Sequence, residues 1–177
     1  MHTPTSHYQH VAWCYDAVAS AYSLGAIGRA KRWHVGRLRP GDRVLYVGAG
    51  TGREVALACA AGAEAVCVEP CAAMARRLHK RLAPWAERVT IAEQPLRAAE
   101  GPGAFDWVCG HFFFNVFDVA TMPGVLAMAA SHVKPGGRMV VADFAAGRPG
   151  ATRSEHADSG SLPLGGRGLG WGSAVRL

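Results

Sequence analysis

The sequence predicts an α/β domain built on a doubly wound, mostly parallel sheet. Short apolar runs alternate with stretches of helical spacing from about residue 43 to residue 143. This alternation is typical of parallel sheets that are covered by helices on both faces. The first run ends in a glycine-rich turn that opens a helix, at residues 48–52. Ligands of such sheets bind beyond the carboxyl ends of the strands, so we expect the functional residues there.

Each element follows from its own pattern. Apolar runs bounded by turn residues predict strands at 43–47, 64–69, 89–92, 106–109 and 138–143. Apolar residues at helical spacing predict helices at 53–61, 71–82 and 123–133. The sequence Lys-Pro-Gly-Gly at 134–137 predicts a turn before the last strand.

The chain divides into three predicted parts. Residues 1–39 form a helical cap, 40–144 the α/β domain and 145–177 a Gly-rich tail or extended arm. The tail lacks the pattern of a helix followed by two strands, so the fifth strand is predicted to be an open edge. Residues 169–175 are the best candidate for a short covering strand. Pairing with a second copy is the alternative, which leaves a homodimer open.

Composition excludes a disordered chain without identifying a partner. Half of the residues are hydrophobic, and the formal net charge is +6. No stripe of basic and aromatic residues is present, so nucleic acid is not the expected partner. The five cysteines fit no zinc spacing, which predicts no metal site and a reducing, cytoplasmic setting. No signal peptide or transmembrane segment is predicted, whereas peripheral membrane contact stays open.

A glycine-rich turn joins the first strand to the following helix. Glycines let the backbone turn tightly and approach a ligand, and the helix N-terminus beyond offers free N–H groups to an anion. Arg53 stands where the Gly-x-Gly-x-x-Gly pattern of dinucleotide-binding proteins has its third glycine. The spacing therefore argues against a nicotinamide cofactor. The residues of this turn are Gly48, Ala49, Gly50, Thr51 and Gly52.

Acidic residues end the second and third predicted strands. Glu69, followed by Pro70, lies beside the glycine turn, where an ionised carboxylate accepts hydrogen bonds from a ribose diol. Glu93 ends the third strand and is predicted to reach an adenine edge. A plain surface charge is the alternative interpretation of Glu93.

The fourth strand runs into a histidine and three consecutive aromatics. Phe112, Phe113 and Phe114 fit an apolar substrate pocket at a strand's carboxyl end, with core packing as the alternative for any single ring. His111 is the candidate general base and a candidate cofactor contact, because histidine exchanges protons near neutral pH.

Together these residues resemble the class I S-adenosylmethionine (SAM) dependent methyltransferases. The matching segments, in the same order and spacing, are 44–52, 68–70, 105–108 and 133–139. The resemblance implies a Rossmann-like fold with strand order 3-2-1-4-5 and SAM as the cofactor. It also implies that the glycine turn holds the methionine end of SAM, Glu69 the ribose and Glu93 the adenine.

The N-terminal part is similar to the ubiquinone/menaquinone biosynthesis C-methyltransferases, through residues 15–16, 22–25 and 31–33. This similarity implies a small-molecule methyl acceptor that is quinone-like, or lipid-like, since phospholipid N-methyltransferases are also similar. Tyr15, Tyr22 and the aromatic segment 112–114 would shape the substrate side. An RNA methyltransferase is the less favoured alternative, because only the net charge supports it.

Two features depart from the family pattern. Tyr46, in the predicted cofactor site, stands where the family usually has an acidic residue that helps to hold the methionine amino group. A phenol forms hydrogen bonds but carries no charge at neutral pH. The family also continues past its fifth strand with a helix and an antiparallel pair of strands. These departures imply, as an alternative, a non-catalytic or degenerate SAM-binding domain.

Overall fold

The computed structural model describes residues 26–96, 101, 103–143 and 174–176. The predicted cap before residue 26, with Tyr15 and Tyr22, and the predicted tail from 145 to 173 lie outside the described residues. The α-helices are α1 Ala26–Arg32, α2 Arg53–Ala60, α3 Ala72–Leu82 and α4 Met122–Ser131, and short 3-10 helices lie at Val35–Arg37, Ala83–Arg88 and Phe114–Val116. The strands are β1 Arg43–Val47, β2 Glu64–Val68, β3 Val89–Ala92, β4 Phe105–His111, β5 Val133–Ala142 and β6 Ala174–Arg176.

The strands form one sheet in the order β3-β2-β1-β4-β5-β6. The pairs among β1 to β5 are parallel, and β6 is antiparallel to β5. The predicted fold class and the strand order 3-2-1-4-5 are therefore confirmed. The chain runs outward from β1 to β3 and then returns to β4 on the other side of β1. Ligands of such sheets bind at this reversal of strand order, which marks the carboxyl ends of β1 and β4.

The central strand β1 is buried on both faces, as its unbroken apolar sequence predicts. Val44 and Tyr46 pack in the core cluster that includes α2 and α3 residues, while Leu45 and Val47 pack in the cluster on the α4 side. Each of these four side chains is at most 1% exposed. This burial fixes β1 and, with it, the position of the turn that follows.

Helix α3 has the amphipathic pattern that the sequence predicts. Met74, Leu78 and Leu82 are buried on one face, whereas Arg76 and Arg77 are exposed on the other. Such a stripe packs an apolar face on the sheet and leaves the charges in water. None of the helices in the described residues is long and apolar enough to cross a membrane.

Strand β5 begins earlier than the sequence predicts. Val133 pairs with Phe105 and Arg138 with Trp107, so β5 advances five residues while β4 advances two. The intervening residues bulge out of the ladder, with Gly136 at a φ of 77°. The prediction of a separate turn over 134–137 was wrong, because this detour lies inside a strand that is paired at both ends.

A short sixth strand covers the outer edge of β5. Ala174, Val175 and Arg176 pair with Val140, Met139 and Arg138 respectively. The predicted covering segment, 169–175, overlaps this strand at its last two residues. The β5 edge, predicted to be open, is therefore paired along this stretch, and a homodimer stays a prediction.

Candidate functional site

The turn between β1 and α2 holds three glycines in the left-handed region. The φ angles of Gly48, Gly50 and Gly52 are 66°, 57° and 70°, values that residues with a Cβ rarely adopt. Gly48 N–H donates a hydrogen bond to Val68 O at 2.9 Å, and Gly52 N–H donates to Ala49 O at 3.1 Å. The turn is therefore shaped by its own backbone and attached to the end of β2.

Packing surrounds two of these glycines and leaves the third open. A Cβ on Gly48 would lie 2.4 Å from Phe113 Cδ2, and one on Gly52 would lie 2.3 Å from Leu78 Cδ1. A Cβ on Gly50 would meet none of the described residues within 4 Å. Gly50 is thus the glycine of this turn that a ligand can approach closely.

Glu69 follows β2, and its carboxylate reaches the glycine turn. Oε2 accepts a hydrogen bond from Gly50 N–H at 2.7 Å, and Oε1 accepts one from Cys71 N–H at 2.9 Å. Burial raises the pKa of this carboxyl, while the two N–H donors act in the opposite direction. Each carboxylate oxygen has two lone pairs, so the group keeps capacity for further donors. Pro70, next in the chain, is exposed.

Arg81 is a residue of this site that the sequence analysis did not identify. Its guanidinium, on α3, donates a hydrogen bond to Thr51 O in the glycine turn. Thr51 itself is 6% exposed, so the contact attaches α3 to a buried part of the turn. The basic face of α3 gave no signal for it, because neighbouring Arg and Lys residues have the same sequence character.

Glu93 lies beyond the end of β3, where the sequence predicts it. Its Oε1 is 2.9 Å from His79 Nε2 on α3, and about half of each side chain is exposed. An exposed pair of this kind contributes little to stability. The carboxylate is accessible from solvent, and its contact with an adenine stays a prediction.

Glu54 is a second residue that the sequence analysis missed. It lies in the first turn of α2 and is only 4% exposed. Its Oε1 is 3.3 Å from Lys31 Nζ and 3.7 Å from His111 Nδ1. Burial alone would raise the pKa of Glu54, but Lys31 and His111 together hold it well below its usual range. A charged carboxylate therefore lies beside His111, which is itself 5% exposed, and the general-base role of His111 stays a prediction.

Tyr46 belongs to the same buried polar group. Its hydroxyl lies 2.8 Å from His34 Nε2, within hydrogen-bond distance. Burial, with a smaller effect of nearby His111, lowers the pKa of His34 to about 3. Burial also raises the pKa of Tyr46 well above its usual value, so both side chains are neutral. The predicted contact of Tyr46 with the cofactor stays a prediction.

Two of the three phenylalanines after β4 lie at the carboxyl end of the sheet, and the third packs in the core. Phe112 has a φ of 55°, a conformation that costs energy for a residue with a side chain and is concentrated at functional sites. The ring of Phe113 packs on Gly48. Phe114 is 3% exposed in the core cluster on the α4 side. Phe112 and Phe113 are thus at the carboxyl end of the sheet, and Phe114 packs inside it.

The fold and this turn define a class, that of Rossmann-like domains with a glycine turn and an acidic residue after the second strand. Within it, the sequence profile of the family described as "Methyltransferase domain" matches residues 44–137. The match covers more than half of the chain, and the chain belongs to this family. The predicted membership of the class I SAM-dependent methyltransferase superfamily is confirmed, whereas the quinone-related subgroup is not.

A curated relative is similar to part of this chain. A protein-L-isoaspartate O-methyltransferase of Anaeromyxobacter dehalogenans is 35% identical over 104 residues, which cover 59% of this chain and 47% of the relative. This chain therefore spans about half the length of the curated relative that it matches.

Two solved structures share the fold at lower identity. The complex of DhpI with SAH has a TM-score of 0.65 at 21% identity and covers 80% of this chain and 67% of that chain. The 1,6-didemethyltoxoflavin-N1-methyltransferase of Burkholderia thailandensis, with bound 1,6-didemethyltoxoflavin and S-adenosylhomocysteine, has a TM-score of 0.59 at 22% identity. It covers 84% of this chain and 68% of that chain. At these identities the likeness is one of fold.

Proposed function

We propose that this chain is the SAM-binding domain of a methyltransferase that acts on a small molecule. The observation that carries the proposal is the pairing of Gly50 with Glu69: an open glycine position lies beside a carboxylate with acceptor capacity left. Membership of the methyltransferase domain family supports SAM over NAD. Arg53 supports the same choice, because it replaces the third glycine of the dinucleotide pattern.

The residues at the carboxyl ends of β1 to β3 fit the groups that SAM presents. The turn at 48–52 and the N-terminus of α2 would hold the methionine carboxylate. Glu69 would accept hydrogen bonds from the ribose hydroxyls, and Glu93 would reach the adenine amino group. When bound, SAM supplies a methyl group that its sulfonium has already activated. The protein then has to orient the acceptor and exclude water.

Phe112 and Phe113 support an apolar acceptor. Phe113 packs on Gly48, so its ring lies next to the proposed methionine end of the cofactor. A flat or chain-like apolar substrate, quinone-like or lipid-like, would pack against these rings, and Tyr15 and Tyr22 would complete the wall. His111 would take a proton from the acceptor where the acceptor needs a base.

The isoaspartate-specific relative favours a second candidate acceptor. That protein is named for O-methylation of L-isoaspartate residues, and it shares 35% identity with this chain over 104 residues. A carboxylate acceptor needs no general base, because it is already ionised at neutral pH. This candidate therefore differs from the first in making His111 dispensable for transfer.

A SAM-binding domain without catalysis is the alternative from a different class. Tyr46 supports it, because the usual acidic partner of the methionine ammonium is replaced by a buried, neutral phenol. Glu54 brings a buried carboxylate to within 3.7 Å of His111, next to the same group of side chains. Glu54 is paired with Lys31 at 3.3 Å, so it does not replace the acidic residue missing at position 46.

Isothermal titration calorimetry with SAM, S-adenosylhomocysteine and NAD tests the proposal on the full chain. We expect both sulfur nucleotides to bind and NAD to bind at least about tenfold more weakly, a difference of about 1.4 kcal/mol. Transfer of labelled methyl from SAM is then measured with a quinol, a phospholipid vesicle and an isoaspartyl peptide. Binding without transfer to any of them favours the non-catalytic domain, and NAD binding as tight as SAM binding overturns the proposal.

A further inference from the structure

Three potential metal ligands meet inside the buried polar group. His34 follows α1, and Cys109 and His111 lie two residues apart on β4. One ligand atom from each lies within 4.8 Å of the other two, and all three residues are buried. The two imidazole rings are 5.3 Å apart between centroids. The proposed SAM site, by contrast, uses the glycine turn and the ends of β2 and β3.

Each histidine ring has one nitrogen that faces a polar side chain. His34 Nε2 faces the Tyr46 hydroxyl at 2.8 Å, and His111 Nδ1 faces the Glu54 carboxylate at 3.7 Å. The opposite nitrogens, His34 Nδ1 and His111 Nε2, are buried and make no full hydrogen bond in the part of the chain that the structure describes. A weaker interaction with the Lys31 backbone acts on the His34 ring. Buried polar atoms that make no full hydrogen bond are rare, and here two of them belong to rings in contact.

The neighbours of these rings match the outer shell of a metal site. A histidine that binds a metal through one nitrogen usually has its other nitrogen held by a carboxylate, carbonyl or similar group, which fixes the ring and raises its basicity. Tyr46 holds His34 and Glu54 lies beside His111 in this manner. The nitrogens that this arrangement leaves for a metal are the two that make no full hydrogen bond.

We infer that His34 Nδ1, His111 Nε2 and Cys109 Sγ form a binding site for Zn²⁺. Imidazole nitrogen and thiolate sulfur are the ligands that zinc prefers, in a tetrahedron that is completed by a fourth ligand. Binding would release the thiol proton of Cys109 to solvent. The inference does not depend on the proposed methyl transfer, but it excludes a general-base role for His111 while the ion is bound.

The charges near the three residues favour a cation. Glu54 supplies a buried carboxylate, which pairs with Lys31 at 3.3 Å, and the Cys109 thiolate would supply a further negative charge next to the ion. The Lys31 side chain is partly open to solvent, with 20% of it exposed, whereas Glu54 is 4% exposed. A buried charge is tolerated when it is paired, and the ion would pair the Cys109 thiolate.

The test uses the full chain, freed of metal with a chelator and then titrated with Zn²⁺ or Co²⁺. We expect one ion per chain, and a thiolate-to-metal charge-transfer band with Co²⁺. Cys109→Ala should abolish this band and weaken Zn²⁺ binding by about 100-fold or more, because losing even an outer partner costs about 10–100-fold. Cys67→Ala is the matched control, since Cys67 is another buried strand cysteine on the same side of the sheet.

X-ray absorption of the zinc-loaded wild-type chain keeps the test independent of whether the variants fold. We expect one sulfur at about 2.3 Å and nitrogen ligands at about 2.0–2.1 Å. Coordination by oxygen alone, no stoichiometric binding of Zn²⁺ or Co²⁺, or an unchanged band in Cys109→Ala would each overturn the inference. Thermal unfolding with and without chelator gives a further readout, because an ion that binds the folded chain raises its Tm.

Discussion

Glu69 is the side chain on which the proposed cofactor site most depends. Glu69→Ala should weaken binding of S-adenosylhomocysteine by about tenfold or more, because a hydrogen bond to a charged group contributes about 1.5–3 kcal/mol. Glu69→Gln, which keeps one acceptor oxygen, should have a smaller effect. Calorimetry measures both. Glu64→Ala is the control, since Glu64 is exposed at the other end of the same strand; an equal loss in this variant would remove Glu69 from the site.

For Tyr46, we expect a substitution to change the stability of the fold. Tyr46→Phe removes the hydroxyl from buried His34 Nε2 and should lower the free energy of unfolding by about 1–3 kcal/mol. Urea unfolding with a chelator present measures this loss. The double variant Tyr46→Phe/His34→Leu should lose less than the sum of the single variants, because neither polar partner remains. Strict additivity would show that the two side chains are not coupled.

The sequence predicted some of these residues and missed others for a physical reason. The position of Glu69 follows from the end of an apolar run, which is a local signal. The partners of Tyr46 and Glu54 come from His34, Lys31 and His111, on other elements. Contacts across elements depend on how the faces of the sheet pack, and a single sequence does not record that packing.

At the scale of the element, substitutions of two glycines can distinguish the role of the glycine turn in folding from its role in SAM binding. Gly50→Ala should cost about 1–2 kcal/mol of stability through its left-handed φ, and should also weaken SAM binding because its Cβ enters open space in the site. Gly41→Ala is the matched control, with a φ of 87° and nothing near its Cβ among the described residues. We expect similar Tm losses in both variants and weaker binding only in Gly50→Ala. If neither variant binds SAM more weakly, the turn is not part of the cofactor site.

The bounds of several elements were predicted well where turn residues flank an apolar run. β1 and β3 match the predicted strands at both ends, and α4 ends at Ser131, two residues before its predicted end. The segment 134–137 was misassigned because its Pro and Gly residues are typical both of a turn and of a bulge. Only the pairing of Val133 with Phe105 distinguishes the two.

At the scale of the whole molecule, β6 protects the edge of the sheet. Deleting residues 174–177 exposes the β5 edge and should promote self-association, because an unpaired strand edge accepts another chain. Light scattering over a range of concentrations measures the change. Val175→Thr keeps every backbone donor and acceptor and serves as the control. Identical scattering by the deletion variant and the full chain would show that β6 is dispensable for this purpose.

The strand order was predictable as a whole because alternating strands and helices permit few topologies once crossovers are right-handed. The pairing of β6 with the edge of β5 was predictable only in part. The glycines of the C-terminal segment argue against a strand, and its pairing depends on a partner more than thirty residues earlier in the sequence.

The central position of β1 also has a consequence for how the chain folds. β1 pairs with β2 soon after both are synthesised, but its other neighbour, β4, comes much later: Arg43 N–H bonds to Asp106, 63 residues further along. Until β4 docks, an apolar strand edge in the middle of the future sheet has no partner. Folding that depends on such distant pairings is slow, and the waiting intermediate is prone to aggregation. Refolding yield should therefore fall steeply as protein concentration rises.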